Sequence, residues 1–216
     1  MSQPSPDRAA PRIRMTGPAR RRQLIDVGRG LFAAKGADAA TIEEIASTAG
    51  VTKPVIYEHF GSKEGLYRVV VEEESELLLH AITGSLAEDA KPRVLVERAA
   101  MALLTYIENR SEGFRILVRD APPGQQAGAL TSILSRITAR VEHILADEFA
   151  ARGFSAGDGA MYAQMLVGMV AMTGQWWLDA RSPDKREVAA HLVNLAWNGL
   201  TGLQKEPALV DDAARA

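Results

Sequence analysis

The sequence predicts an all-α protein, with an N-terminal three-helix helix-turn-helix unit followed by a larger helical domain. Three observations carry this. Apolar residues recur at three- and four-residue spacing in segment after segment. No run alternates apolar and polar residues as a half-buried strand would. Cap residues, glycines and prolines punctuate the segments where helices should start and stop.

Residues 1–18 read as a flexible basic arm, because Pro4, Pro6, Pro11 and Pro18 oppose a helix and apolar groups are sparse. From Arg20, Leu24, Val27, Gly28, Leu31 and Phe32 mark a first helix that ends at Gly36. Thr41-Ile42-Glu43-Glu44 fits a capping box opening a second, with Ile42, Ile45 and Ala46 inward and a stop at Ala49-Gly50. Thr52 should cap a third, with Pro54 in its first turn, where no internal donor is lost. Gly61-Ser62 breaks the chain again, and Ser62 caps a long helix with Leu66, Val70 and Leu77 on one side. Further helices are expected at 92–107, 111–119, 130 to about 153, 158–180 and 182–203, with Ala121-Pro122-Pro123-Gly124 as a stop. The domain division expected is 1–18, 19–68 and 69–216.

Composition bounds the function. The chain has 216 residues and 23.3 kDa, and 47% hydrophobic residues suffice for a packed core. With no cysteine, disulfides, thiolate metal sites and a cysteine nucleophile are excluded. His59, His80, His143 and His191 form no ligand pair at helical spacing, so no metal is expected. Residues 1–70 hold 11 Lys and Arg against 7 Asp and Glu, and the remainder 14 against 20. A basic front on an acidic body suggests an anionic partner at the N-terminal end. The arginines at 8, 12, 14, 20, 21 and 22 admit two readings, a solubilising tail or a contact to phosphates or the minor groove. No secretory signal is read. The charge-free stretch Gly159–Leu178 reads as a buried helix because Asp158 and Asp179, not basic anchors, bracket it. No membrane association and a cytoplasmic location follow.

The second and third helices, joined by a glycine turn, have helix-turn-helix proportions, and neither could fold without the first. The second can aim its N-terminal amides at a phosphate, and the third is short enough to place its first turn in a major groove. The run from Thr41 to Leu66, TIEEIASTAGVTKPVIYEHFGSKEGL, preceded by LFAAKG at 31–36, resembles the signature of the tetracycline-repressor (TetR) family of bacterial transcription regulators. The likeness covers about residues 20–70; beyond them only size and helical layout are similar. The resemblance implies that Lys53, Pro54 and Val55 stand where base edges are touched. It implies phosphate contacts at Tyr57, His59 and Lys63, with Thr41 and Thr52 near the DNA backbone. Val55 has no hydrogen-bonding side chain and could offer a base only apolar contact, such as to a thymine methyl. Tyr57 is expected to pack its ring inward with its hydroxyl at the surface.

In the penultimate helix, Met161, Met165, Met169, Met172 and Trp176 form one stripe, Leu166, Val170, Thr173 and Trp177 a second, and Ala160, Ala163, Ala171 and Gly174 a small-residue side. A helix apolar all round should be buried all round, so the last two helices are expected to pair with those of a second copy as a four-helix bundle. The resemblance implies the same two-fold homodimer. The methionine stripe is either core filling or an adaptable pocket wall. The resemblance places an effector cavity in the C-terminal domain, with Met101, Leu104, Phe114, Leu117, Met165, Met169 and Trp176 as candidate lining and a lipophilic small molecule as ligand.

The reading is a ligand-responsive regulator of double-stranded operator DNA, a repressor released by its effector, without cofactor or catalysis. The competing readings are an all-α enzyme and a helical small-molecule binding protein whose helix-turn-helix does not bind DNA. No nucleophile motif, phosphate loop or paired catalytic carboxylates support the enzyme, and Glu72-Glu73-Glu74 reads as a solvated helix face.

Overall fold

The computed structural model describes residues 15–87, 90–119, 128–155, 157–207 and 209. Nine helices and no strand occur among them: α1 (Gly17–Lys35), α2 (Ile42–Ala49), α3 (Lys53–Phe60), α4 (Lys63–Ser85), α5 (Pro92–Asn109), α6 (Ser111–Arg119), α7 (Ala129–Ala151), α8 (Asp158–Ala180) and α9 (Lys185–Thr201). The arginines at 8, 12 and 14 and the stop at 121–124 lie outside the described residues.

Local chemistry sets most boundaries. α1 starts earlier than expected. The Thr16 hydroxyl accepts from the Ala19 amide at 3.4 Å, and Pro18 sits in the first turn, where a helix tolerates it. α9 starts later than expected, because the Asp184 carboxylate accepts from the Arg186 and Glu187 amides at 2.8 and 3.0 Å. The capping box of α2 is complete: the Thr41 hydroxyl accepts from the Glu44 amide and the Glu44 carboxylate from the Thr41 amide, both at 3.2 Å.

Two principal cores form. The N-terminal one packs Leu24, Ile25 and Phe32 of α1 with Ile45 of α2, Ile56 of α3 and Leu66 and Val70 of α4. Ile116 of α6 completes it. The larger core joins α4 to α9 through residues such as Leu78, Leu103, Ile107, Phe114, Leu117, Ile133, Trp177 and Leu192. Thus α4 runs through both cores, and α6 contributes to both. Leu77, expected on the packed side of α4, is 40% exposed, while Leu78 takes the inward position.

α8 turns its small-residue side inward. Ala163, Ala171 and Gly174 are buried, whereas Met161, Met165, Met172 and Trp176 are between 48 and 63% exposed. Small side chains let α8 approach its neighbours closely, so the bulky stripe is left on the outside of the chain. In α9, Leu192 is buried within the chain while Leu195 is 65% exposed. No described helix is long and apolar enough to cross a membrane.

Candidate nucleic-acid interface and ligand cavity

The turn between α2 and α3 requires Gly50. It adopts φ 65°, ψ 37°, the left-handed region that L side chains resist, and the Val51 amide donates to the Ala46 carbonyl at 2.9 Å to lock the reversal. Gln23 of α1 donates to the Ala49 carbonyl at 3.1 Å, which ties the end of α2 to α1. α3 then sits over the core on the fully buried Ile56, with Val55 and Phe60 packed partly buried beside it, and Lys53, Pro54, Tyr57 and Glu58 are exposed.

The residues marked in the sequence gather here. Thr41, Thr52, Lys53, Pro54 and Tyr57 are exposed, and Val55, His59 and Lys63 half-buried. Tyr57 is 48% exposed, so its ring lies open at the surface rather than packed inward. Thr52 caps α3 through extended backbone without a side-chain capping bond, which leaves its hydroxyl uncommitted to the cap. His59 lies beside Phe60, with ring centroids 6.0 Å apart, and Arg21 stacks over Phe60 at 5.2 Å. This places an α1 arginine next to the end of α3. The Lys63 ammonium donates to the Asp38 carbonyl at 3.2 Å.

Glu43 is a participant the sequence did not single out. The Lys53 ammonium donates to its carboxylate across the helix-turn-helix, and both side chains are exposed. The bond holds the Glu43 carboxyl below its ordinary value and pushes the Lys53 ammonium above its own. Glu43 is therefore an anion parked on a cation that a nucleic acid would seek. Its place in the first turn of α2 looked like helix capping alone.

A second feature lies in the larger core, a cavity of about 110 Å³ bounded by α4 to α9. Its lining is aliphatic, with Phe114 and Trp197 the aromatics and Glu148 the single charged residue among the described lining. Ile82, Leu103, Ile133, Ile137 and Val167 are representative walls. A cavity walled almost wholly by apolar side chains accepts hydrocarbon and penalises polar groups. Among the seven candidate lining residues, Phe114 borders this cavity. Leu104 and Leu117 are buried in the surrounding core, and Met169 packs against it partly buried. Met101 borders a separate open groove between α4 and α5, and Met165 and Trp176 face outward. Helical periodicity cannot say which stripe of an all-apolar helix turns in; here Ala163, Val167, Ala171, Gly174 and Trp177 do, while Ala160 of the small-residue side stays exposed.

No group of histidines, aspartates and glutamates suited to a metal ion occurs among the described residues. The family model described as "Bacterial regulatory proteins, tetR family" matches residues 24–70, and that described as "Tetracyclin repressor-like, C-terminal domain" matches residues 81–209. The "HTH-type transcriptional activator FasR" of Mycolicibacterium smegmatis is 30% identical over 185 residues, 84% of this chain and 83% of that protein. The "HTH-type transcriptional repressor KstR2" of Rhodococcus jostii is 43% identical over 47 residues, 22% of this chain and 23% of that protein. A crystal structure of a TetR-like transcriptional regulator from Rhodococcus sp. RHA1 superimposes with a TM-score of 0.71 at 24% identity, covering 88% of this chain and all of that one.

Proposed function

From the premise that the chain belongs to the tetR family of bacterial regulatory proteins, we propose that it is a ligand-responsive regulator that binds operator DNA as a homodimer and leaves it when a lipophilic molecule fills the cavity. One observation carries the DNA-binding part. α3 presents Lys53, Pro54 and Tyr57 to solvent beside His59 and Lys63, on a scaffold fixed by the capping box of α2 and the Gly50 turn. Lys53, Pro54 and Val55 read bases, and Tyr57, His59, Lys63, Thr41 and Thr52 engage the backbone. Residues 19–68 form the DNA-binding unit and 69–216 the effector and dimerisation unit. The protein acts in the cytoplasm, where its DNA is, and performs no catalysis.

The dimer rests on the outward stripe of α8, Met161, Met165, Met172 and Trp176, together with Leu195 of α9. Contiguous exposed side chains of this kind mark a contact surface. A two-fold copy would set the recognition helices at successive major grooves, about 34 Å apart. The effector is a hydrocarbon-rich molecule, which the predominantly apolar lining supports.

The protein represses where its operator overlaps a promoter. The relative that aligns along most of the chain is named an activator, and the relatives named repressors align over short stretches. Selection of bound genomic fragments, followed by salt-dependent gel shifts, tests the reading: specific retention of a two-fold site supports it, and absence of DNA binding at low salt defeats it. Transcription of the adjacent gene in a deletion strain decides the sign, since a rise is expected for a repressor.

A further inference from the structure

Glu73 and Glu74 do not form the solvated face that their sequence suggests. Glu74 is fully buried where α1, α4, α5 and α6 meet. The Tyr106 hydroxyl donates to its Oε2 at 2.6 Å, Arg110 Nε donates to the same oxygen at 2.9 Å, and Arg110 Nη2 bonds Oε1. Arg29 Nε lies 2.7 Å from Oε1 without hydrogen-bond alignment, so that pair is Coulombic. Glu73 takes Arg22 at 2.7 Å and Arg29 at 3.3 Å and lies 3.7 Å from Arg110. Two neighbouring carboxylates of α4 therefore join α1, which carries the helix-turn-helix, to α5, which walls the cavity.

α6 touches this cluster and the cavity at once. Gly113 lies so close to the Glu74 carboxylate that a Cβ there would overlap it. The next residue, Phe114, borders the cavity and stands edge-on to Tyr106 with centroids 6.3 Å apart. Further along, Ile116 enters the N-terminal core and Arg119 donates to the Ala33 carbonyl of α1 at 2.9 Å. A buried ion cluster contributes little net stability over an apolar replacement, but its directional bonds specify one arrangement sharply. Apolar contacts tolerate small slides that a bidentate bond does not.

We propose that Glu74 is a positioning residue that couples cavity to DNA: filling the cavity displaces Phe114, Gly113 moves against the Glu74 carboxylate, and the loosened bonds to Arg110 and Arg29 free α1 to swing relative to α5. The inference rests on the ligand-responsive reading above. Two states with different Glu74 pairing are the bistable element such coupling requires.

Because the chain has no cysteine, Ser47→Cys on α2 and Ala139→Cys on α7 accept spin labels at two exposed positions only. Labelled protein diluted with unlabelled protein reports the distance within one chain. A single narrow distribution is expected; Glu74→Gln and Gly113→Ala should each add a second population while circular dichroism shows the helices retained. Arg110→Lys, which keeps the charge but loses the fork, gives the same readout should either variant not fold. An unchanged distribution in the folded variants overturns the proposal.

A second measurement uses 1-dodecanol as hydrocarbon probe and a DNA duplex selected from genomic fragments. In the unsubstituted protein dodecanol should weaken DNA binding about tenfold, and in Glu74→Gln less than about twofold, with the probe still bound. Equal weakening in both proteins overturns the relay alone. Probe bound without any effect on DNA in the unsubstituted protein overturns the relay together with the ligand-responsive reading. If the probe does not bind, the hydrocarbon-cavity reading falls and the distance measurement decides the role of Glu74.

Discussion

Lys53 and Glu43 face each other across the helix-turn-helix, one on the recognition helix and one on the first turn of α2, joined by a charged hydrogen bond. A phosphate or a base edge that takes Lys53 must displace that carboxylate. Glu43→Gln should therefore strengthen DNA binding, by about threefold at low salt and less as salt screens the pair. Lys53→Ala should alter base preference. Both are read by fluorescence anisotropy on the selected operator and on variants of it.

Lys63→Ala removes a charge that now donates to the Asp38 backbone carbonyl. Affinity should fall by a similar factor for every sequence, and the slope of log K against log salt should flatten by about 0.9. A titration across salt concentrations measures both.

The dimer contact should fail when charge enters the outward stripe. Met165→Glu and Trp176→Glu alter residues that are 56 and 54% exposed in the chain, so the monomer should keep its fold. Sedimentation should show dimer for the unsubstituted protein and monomer for these variants at micromolar concentration. Leu192 is 5% exposed, and a charge there should unfold the chain instead.

A side chain that fills the cavity should mimic the ligand. Val170→Trp places bulk where the walls converge from α8, and overpacking should cost about 1–3 kcal/mol. Dodecanol uptake, measured by calorimetry, should drop, and operator affinity should fall about as far as dodecanol lowers it in the unsubstituted protein. Phe114→Ala deletes a buried ring and should cost about 3–5 kcal/mol in chemical denaturation.

Acid should loosen the α1–α4–α5 junction. Burial pushes the Glu74 carboxyl up, but Arg110, Tyr106 and Arg29 outweigh it and hold it below its ordinary 4.5. Asp26 is likewise held below its ordinary 3.8 by Arg29 and Arg22 despite partial burial. A carboxylate whose folded value is lowered stabilises the fold fully above its ordinary value and loses that contribution as pH falls through the folded one. Thermal midpoints should thus be level down to about pH 5 and fall below it, and the fall should be shallower in Glu74→Gln.

The N-terminal half was legible because its signals are local. Thr41, Glu44, Gly50 and Ser62 act within one turn of where they stand, and each terminus follows from its own cap. Errors arose where two local signals competed. Pro18 opposes a helix on its own, yet Thr16 starts one ahead of it, and a start at residue 182 gives way to Asp184, which holds the free amides of α9. The cavity was legible as a region only. Periodicity marks the apolar stripes of α8 but not which one turns inward, and that depends on Leu103 and Ile107 meeting Gly174 across the crossing with α5. Glu74 was invisible for a related reason. Its partners Tyr106 and Arg110 stand over thirty residues away, so nothing beside it in the chain announces its burial.

The sharing of α6 between two cores bears on how such a protein can be recombined. Ile116 belongs to the packing of the N-terminal core, while Phe114 and Leu117 on the same nine-residue helix belong to the larger core. A hybrid cut after α4 would bring a foreign residue to the place of Ile116 and leave the donor's reading head with a hole or a clash. The exchangeable module is therefore discontinuous: α1 to α4 plus one side chain from 31 residues past Ser85. The two cores of this chain are separable in sequence but not in volume.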